Sequence, residues 1–163
     1  MRLFKILTLG LMLSIGSVVH AQTYQNDKID HLLNQTEEPD GVVFEILEFG
    51  SDSWQWLSPM LESYTQQLRA KFPTIDIAIV SHGLEQFELT KEASMSQPKA
   101  MNTLKGLSNQ SVDVHVCGVH SRWLNVDESA YLDFVNVAKS GPAKINDYRN
   151  IGYTLIEITQ PRL

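Results

Sequence analysis

Val112-Asp113-Val114-His115-Val116-Cys117-Gly118 reads as a short strand that ends at the only cysteine of the chain. Its valines alternate with Asp113, His115 and Cys117, the two-residue period of an extended segment. Gly118 follows, a residue that lets the chain turn or lets another group approach closely. Upstream, Ile75-Asp76-Ile77-Ala78-Ile79-Val80 repeats the plan and runs into Ser81-His82-Gly83. Further upstream, Val42 to Phe49 is dominated by apolar residues on both faces, as a central parallel strand requires. Downstream, Phe134 to Ala138 and Tyr153 to Ile158 give two more strands.

Helical patterns fill the intervals. Leu57, Leu61, Tyr64, Leu68 and Phe72 recur at helical spacing and mark one buried face. Pro59 suits a first turn, which predicts a helix starting at Ser58, with Trp54 and Trp56 packing on its entry. Leu84 to Leu89 predicts a short helical turn, and Ser96 to Leu107 a helix with Pro98 in its first turn. Ser121 to Asn125 reads as irregular and Val126 to Leu132 as a short helix. Ser140-Gly141-Pro142 leads into a helix from Ala143 to Asn150, which Gly152 closes as a left-handed cap. Five strands therefore alternate with helical segments in the four intervals between them. That order predicts a three-layer α/β/α sandwich with a mostly parallel five-stranded sheet. Ligands of such folds sit beyond the carboxyl ends of the strands. His82 and Cys117 both fall at such ends.

The chain has 163 residues, 43% of them apolar and 20% charged, a balance that fits one globular domain. The formal charge is −6 and no basic run appears, which argues against a nucleic-acid partner. Residues 1–21 carry the pattern of a secretory signal peptide. Arg2 and Lys5 supply a positive start, Ile6 to Val19 is mostly apolar and uncharged, and Val19-His20-Ala21 precedes a plausible cut before Gln22. The apolar run is too short for a comfortable membrane span. The expectation is a periplasmic protein with no membrane attachment after cleavage. Loss of Arg2 and Lys5 would leave 11 basic against 19 acidic residues and a charge of −8. Residues 22–40 are polar and read as a flexible or loosely docked arm, with Ile29, Leu32 and Leu33 making at most one weak amphipathic turn. Residues 41–163 form the folded domain.

Export sharpens the question posed by Cys117. A lone cysteine cannot form a disulfide within its own chain, so it is buried and inert, paired with another molecule, or used chemically. The reactive species would be the thiolate, stabilised by His115, His120, Arg122 or a helix amino terminus. His115 lies two residues back on the same face. His82 is the second candidate, at the neighbouring type of strand end. Together His82, His115, Cys117 and His120 have the ligand types for zinc or copper, but no CxxC or HxxxH pair supports a metal, so no metal and no cofactor are expected. GxSxG, GxxxxGK[ST] and GxGxxG are absent. Glu45 and Glu48 are three residues apart on one strand and cannot form an acid–base pair with each other.

With these residues laid out, the chain resembles the DsrE/DsrF-like superfamily of small sulfur-relay proteins. Four segments carry the resemblance: Ile77 to Gly83, Val112 to Gly118, Lys139-Ser140-Gly141-Pro142-Ala143 with Ile145, and Ile151-Gly152-Tyr153. It spans Gly41 to Ile158. The resemblance implies an α/β/α domain assembled as a homo-oligomer, a trimer or hexamer, with a persulfide carried on the cysteine matched by Cys117. His82, Gly83, His115, Gly118, His120 and Arg122 would then surround the sulfur, and a sulfur donor or acceptor protein would be the partner. Such a chain would be at most a sulfurtransferase or sulfur carrier. The competing expectation is a non-enzymatic oligomeric binding module in which Cys117 is a packed structural residue.

Overall fold

The structure, a computed structural model, describes residues 24–160. The signal peptide expected over residues 1–21 lies outside the described residues.

Five strands, β1 (Val42–Ile46), β2 (Ile77–Ser81), β3 (Val112–Cys117), β4 (Val135–Ala138) and β5 (Thr154–Ile158), form one sheet in the order β4-β3-β2-β1-β5. All four pairings are parallel. β1 lies second from one edge, and β1 and β2 are buried almost throughout, which is why their sequences read as near-continuous apolar runs. The helices are α1 (Asp27–Leu33), α2 (Trp54–Lys71), α3 (Pro98–Asn109), α4 (Gly118–Trp123) and α5 (Gly141–Asn150).

Handedness sets the layers. From β1 to β4 each strand is added on the same side of its predecessor, so right-handed crossovers carry the connections over one face. β5 returns to the far side of β1, and the same handedness sends its helix, α5, over the other face. The two cores match this division. The larger packs Phe44, Ile46, Ile77, Ile79, Val114 and Val116 against residues of α1, α2 and α3. The smaller has Val43, Ala78 and Val80 under Ile145 and Tyr148 of α5. This is the three-layer α/β/α sandwich read from the sequence.

Three local expectations change. Residues 22–40, read as an arm, contain α1, capped by the Asn26 side chain on the Lys28 and Ile29 N–H groups. Ile29 and Leu32 are buried in the larger core, so this segment is docked rather than loose. α2 starts at Trp54, not Ser58, and takes Pro59 into its interior. The absent proline N–H orphans a carbonyl at Gln55, an exposed position on a groove between α2 and α3, where water can replace the bond. Ser121 to Asn125 is not simply irregular, because α4 starts at Gly118 and runs through Trp123. Ser121 fixes it by donating from its Oγ to the Cys117 carbonyl and sharing a hydrogen bond with the Tyr131 hydroxyl. The short helix expected over Val126 to Leu132 is one 3₁₀ turn, Glu128–Ala130, capped by Asp127.

Candidate functional site

Register brings the two strand ends together. Ser81 of β2 pairs with Val116 of β3, so the next residues along, His82 and Cys117, are lateral neighbours. Both side chains lie on the α5 face, and α5 begins directly over them. A Cβ added at Gly141 would meet His82 Cβ at 2.7 Å and Cys117 Cβ at 3.2 Å. Glycine at that position is what lets the helix amino terminus approach the pair. The first turn of α5 thereby sets partial positive charge beside both side chains.

Cys117 is a free thiol, buried with 5% of its surface exposed. Its backbone is held on both sides by the buried Gln86: Cys117 N–H donates to Gln86 Oε1 at 2.7 Å, and Gln86 Nε2 donates to the Cys117 carbonyl at 3.5 Å. His82 Nε2 pairs with Glu45 Oε1 at 2.9 Å, and both side chains are largely covered. The His82 carbonyl accepts from His120 Nδ1 at 3.1 Å. The His120 ring is held edge-on against Phe87 and Trp123. Arg122 is exposed, and its Nη1 would lie 3.3 Å from a Cβ added at Gly118.

Glu85 underlies these loops. Its carboxylate is fully buried and accepts from Ser81 Oγ at 2.7 Å, Glu48 N–H at 2.8 Å and Gly83 N–H at 3.0 Å. Burial pushes its carboxyl above the usual range, while the Ser81 hydroxyl and the backbone N–H groups pull the other way. Its own carbonyl accepts from Trp54 Nε1 at 2.9 Å. Glu85 therefore ties the segments after β1 and β2 to the start of α2. Gly83 is needed here because an added Cβ would run into Glu85 and the Glu48 backbone.

Of the residues singled out in the sequence, the structure groups His82, Gly83, Cys117, Gly118, His120 and Arg122 around the carboxyl ends of β2 and β3. His115 stands apart. It shares the Cys117 face, but its ring is buried and engaged with Tyr148, whose hydroxyl lies 2.9 Å from His115 Nε2 and donates to Asp113 Oδ2 at 3.2 Å. Burial, aided by the nearby Lys144 charge and opposed by Asp113, lowers its pKa to about 4, so the ring is neutral at pH 7. It borders a shallow pocket of about 440 Å³ with Asn136, Lys139, Ser140 and Asp147. Among the described residues no three histidine, cysteine, aspartate or glutamate side chains are arranged to hold a metal ion, and no helix is long and apolar enough to cross a membrane.

Glu85 and Gln86 were not singled out from the sequence, and Glu45 was considered there only as a partner of Glu48 and set aside. Glu45 carried a signal, an acidic residue inside an otherwise apolar strand, which a buried position tolerates only when paired. Glu85 and Gln86 gave none, because a Glu-Gln pair in a polar turn looks solvated until the loop is folded inward.

Fold and site define an α/β/α protein with a thiol and a histidine side by side at adjacent parallel-strand ends. No family model and no curated protein matches the chain. Among solved structures it is similar to MTH1491, a protein of unknown function from Methanobacterium thermoautotrophicum, with 24% sequence identity and a TM-score of 0.60, over 72% of this chain and 97% of that one. That likeness carries the fold.

Proposed function

We propose that the protein is an exported, DsrE-like sulfur carrier that accepts a sulfane sulfur on Cys117 as a persulfide, acting as a periplasmic homo-oligomer between a donor and an acceptor. One observation carries the reading: Cys117 ends a parallel strand beside His82, directly under the amino terminus of α5. A thiolate attacks a sulfane sulfur and expels the donor thiolate, so the site must hold a sulfur anion and a proton carrier together. A helix amino terminus and a neighbouring imidazole supply those two needs. Gln86 fixes the backbone from which the thiol projects. The experiment is incubation of the mature chain with a persulfide donor followed by peptide mapping, with sulfur expected on the Cys117 peptide.

A second reading rests on the low exposure of Cys117, at 5%. A thiol so covered is suited to packing, and the protein would then be an oligomeric binding module. Alkylation of the folded protein by iodoacetamide separates the two. Modification at a rate near that of the unfolded chain supports the carrier, and protection until unfolding supports the module.

A further inference from the structure

We propose that His82 is the proton-transfer residue of this site and that Glu45 is the positioning residue that orients it. The proposal rests on the reading of Cys117 as the reacting thiol.

The three imidazoles near this end of the sheet differ in what their nitrogens do. His115 spends Nε2 on Tyr148 and lies a full strand repeat below the sulfur. His120 spends Nδ1 on the His82 carbonyl, and aromatic edges hold its ring on two sides. His82 spends Nε2 on Glu45, and its Nδ1 has no hydrogen-bond partner among the described residues. With the carboxylate accepting from Nε2–H, the neutral ring carries its lone pair on Nδ1. Nδ1 is bonded to the carbon next to the His82 Cβ, and that Cβ is the Cys117 neighbour across the ladder. The order is therefore carboxylate, imidazole, thiol, contributed by β1, by the residue just after β2 and by the last residue of β3. That is the order of an orienting group, a base and a nucleophile, with no hydrogen bond made between His82 and Cys117 among the described residues before a donor binds.

Glu45 has no evident structural need. It interrupts β1, otherwise buried throughout, and its register neighbour on β5 is Glu157, a like charge that is itself paired with Lys28. An apolar residue would pack there at less cost. Of the ionisable groups near His82, Glu45 on β1 holds its ring, His120 on α4 holds its carbonyl, Cys117 lies beside it under Gly141, Glu85 binds the N–H of the next residue, Gly83, and α5, which packs over it, carries Lys144.

The step balances without an external oxidant. Cys117 Sγ attacks the outer sulfur of a donor R–S–SH as its proton passes to His82 Nδ1. The bond between the two donor sulfurs breaks, its electron pair stays on R–S, and His82 returns the proton there. Cys117–SH and R–S–SH become Cys117–S–SH and R–SH.

The experiment follows the rate of sulfur uptake on the mature chain from glutathione persulfide, with His82→Ala, Glu45→Gln and Glu45→Asp beside the wild type. Base removal should slow uptake at least about tenfold without lowering the final extent. Added imidazole should restore much of the His82→Ala rate, which no packing defect would allow. Glu45→Gln should be slow, and Glu45→Asp should regain part of the rate. His82→Ala at the wild-type rate, or a slow variant indifferent to imidazole, overturns the proposal. Should the wild type take up no sulfur, the carrier reading fails, and the same variants are read by iodoacetamide alkylation of Cys117. Slowing that imidazole relieves still supports the pair, and equal rates or no relief overturn it.

Discussion

Replacing His115 with glutamine should flatten the acid limb of the protein's stability profile. In the folded state the ring holds out against protonation to about 4, from an ordinary value of 6.5, because it is buried against Tyr148 and near Lys144. Its pKa is thus lower folded than unfolded. Between those two values the unfolded chain binds more protons, so His115 contributes stability that is full above about 6.5 and is lost as the pH falls toward 4. At about 1.36 kcal/mol per unit, the ceiling is about 3 kcal/mol. The ring borders an open pocket, and the water it admits reduces the effect to about 2 kcal/mol. Glutamine can still donate to the Tyr148 hydroxyl but cannot titrate. Urea unfolding of both proteins at pH 7 and at about pH 4.5 gives the difference of differences, which cancels the background carboxylates. That background includes Glu85, whose raised pKa acts in the opposite direction, contributing stability at low pH that is lost as the pH rises. The wild type should lose about 2 kcal/mol more than His115→Gln on acidification. Equal losses would refute the claim that this histidine is buried neutral.

Three further outcomes follow from the packing. Gln86→Leu leaves the Cys117 N–H buried without its acceptor, which should cost about 1–3 kcal/mol in urea unfolding and slow any reaction of the thiol. Gly141→Ala drives a methyl to within 2.7 Å of His82 Cβ, so overpacking of about 1–3 kcal/mol is expected, together with slower iodoacetamide modification of Cys117. Ile29→Ala should lower stability by about 2–4 kcal/mol, since Ile29 is 1% exposed in the larger core. A change below about 0.5 kcal/mol, the range of surface substitutions, would mean that α1 does not dock.

The sheet was legible because β1, β2 and β3 are β-branched runs closed by glycine or polar residues, a pattern with few competing readings. The site's principal pair was legible for the same reason, since a strand end is a defined place in this fold. What the sequence hid depends on tertiary context. Pro59 argues locally for a helix start, yet an open groove beside α2 accommodates it in the interior. Residues 22–40 look solvated by composition, yet Ile29 and Leu32 are buried in the larger core with Tyr24 and Leu33 packed against it. His115 shares the face of Cys117 by period, but Tyr148 from α5 claims its ring. Glu45 was weighed only against Glu48 along its own strand, while its partner, His82, comes from the next strand over.

The central claim is that Cys117 carries sulfur. Intact-mass measurement of the protein after exposure to a sulfane-sulfur donor tests it most directly. The account predicts a gain of about 32 Da, one sulfur atom on the attacking thiol, that dithiothreitol removes and that Cys117→Ser lacks. No gain on the wild type, or the same gain on Cys117→Ser, would contradict it.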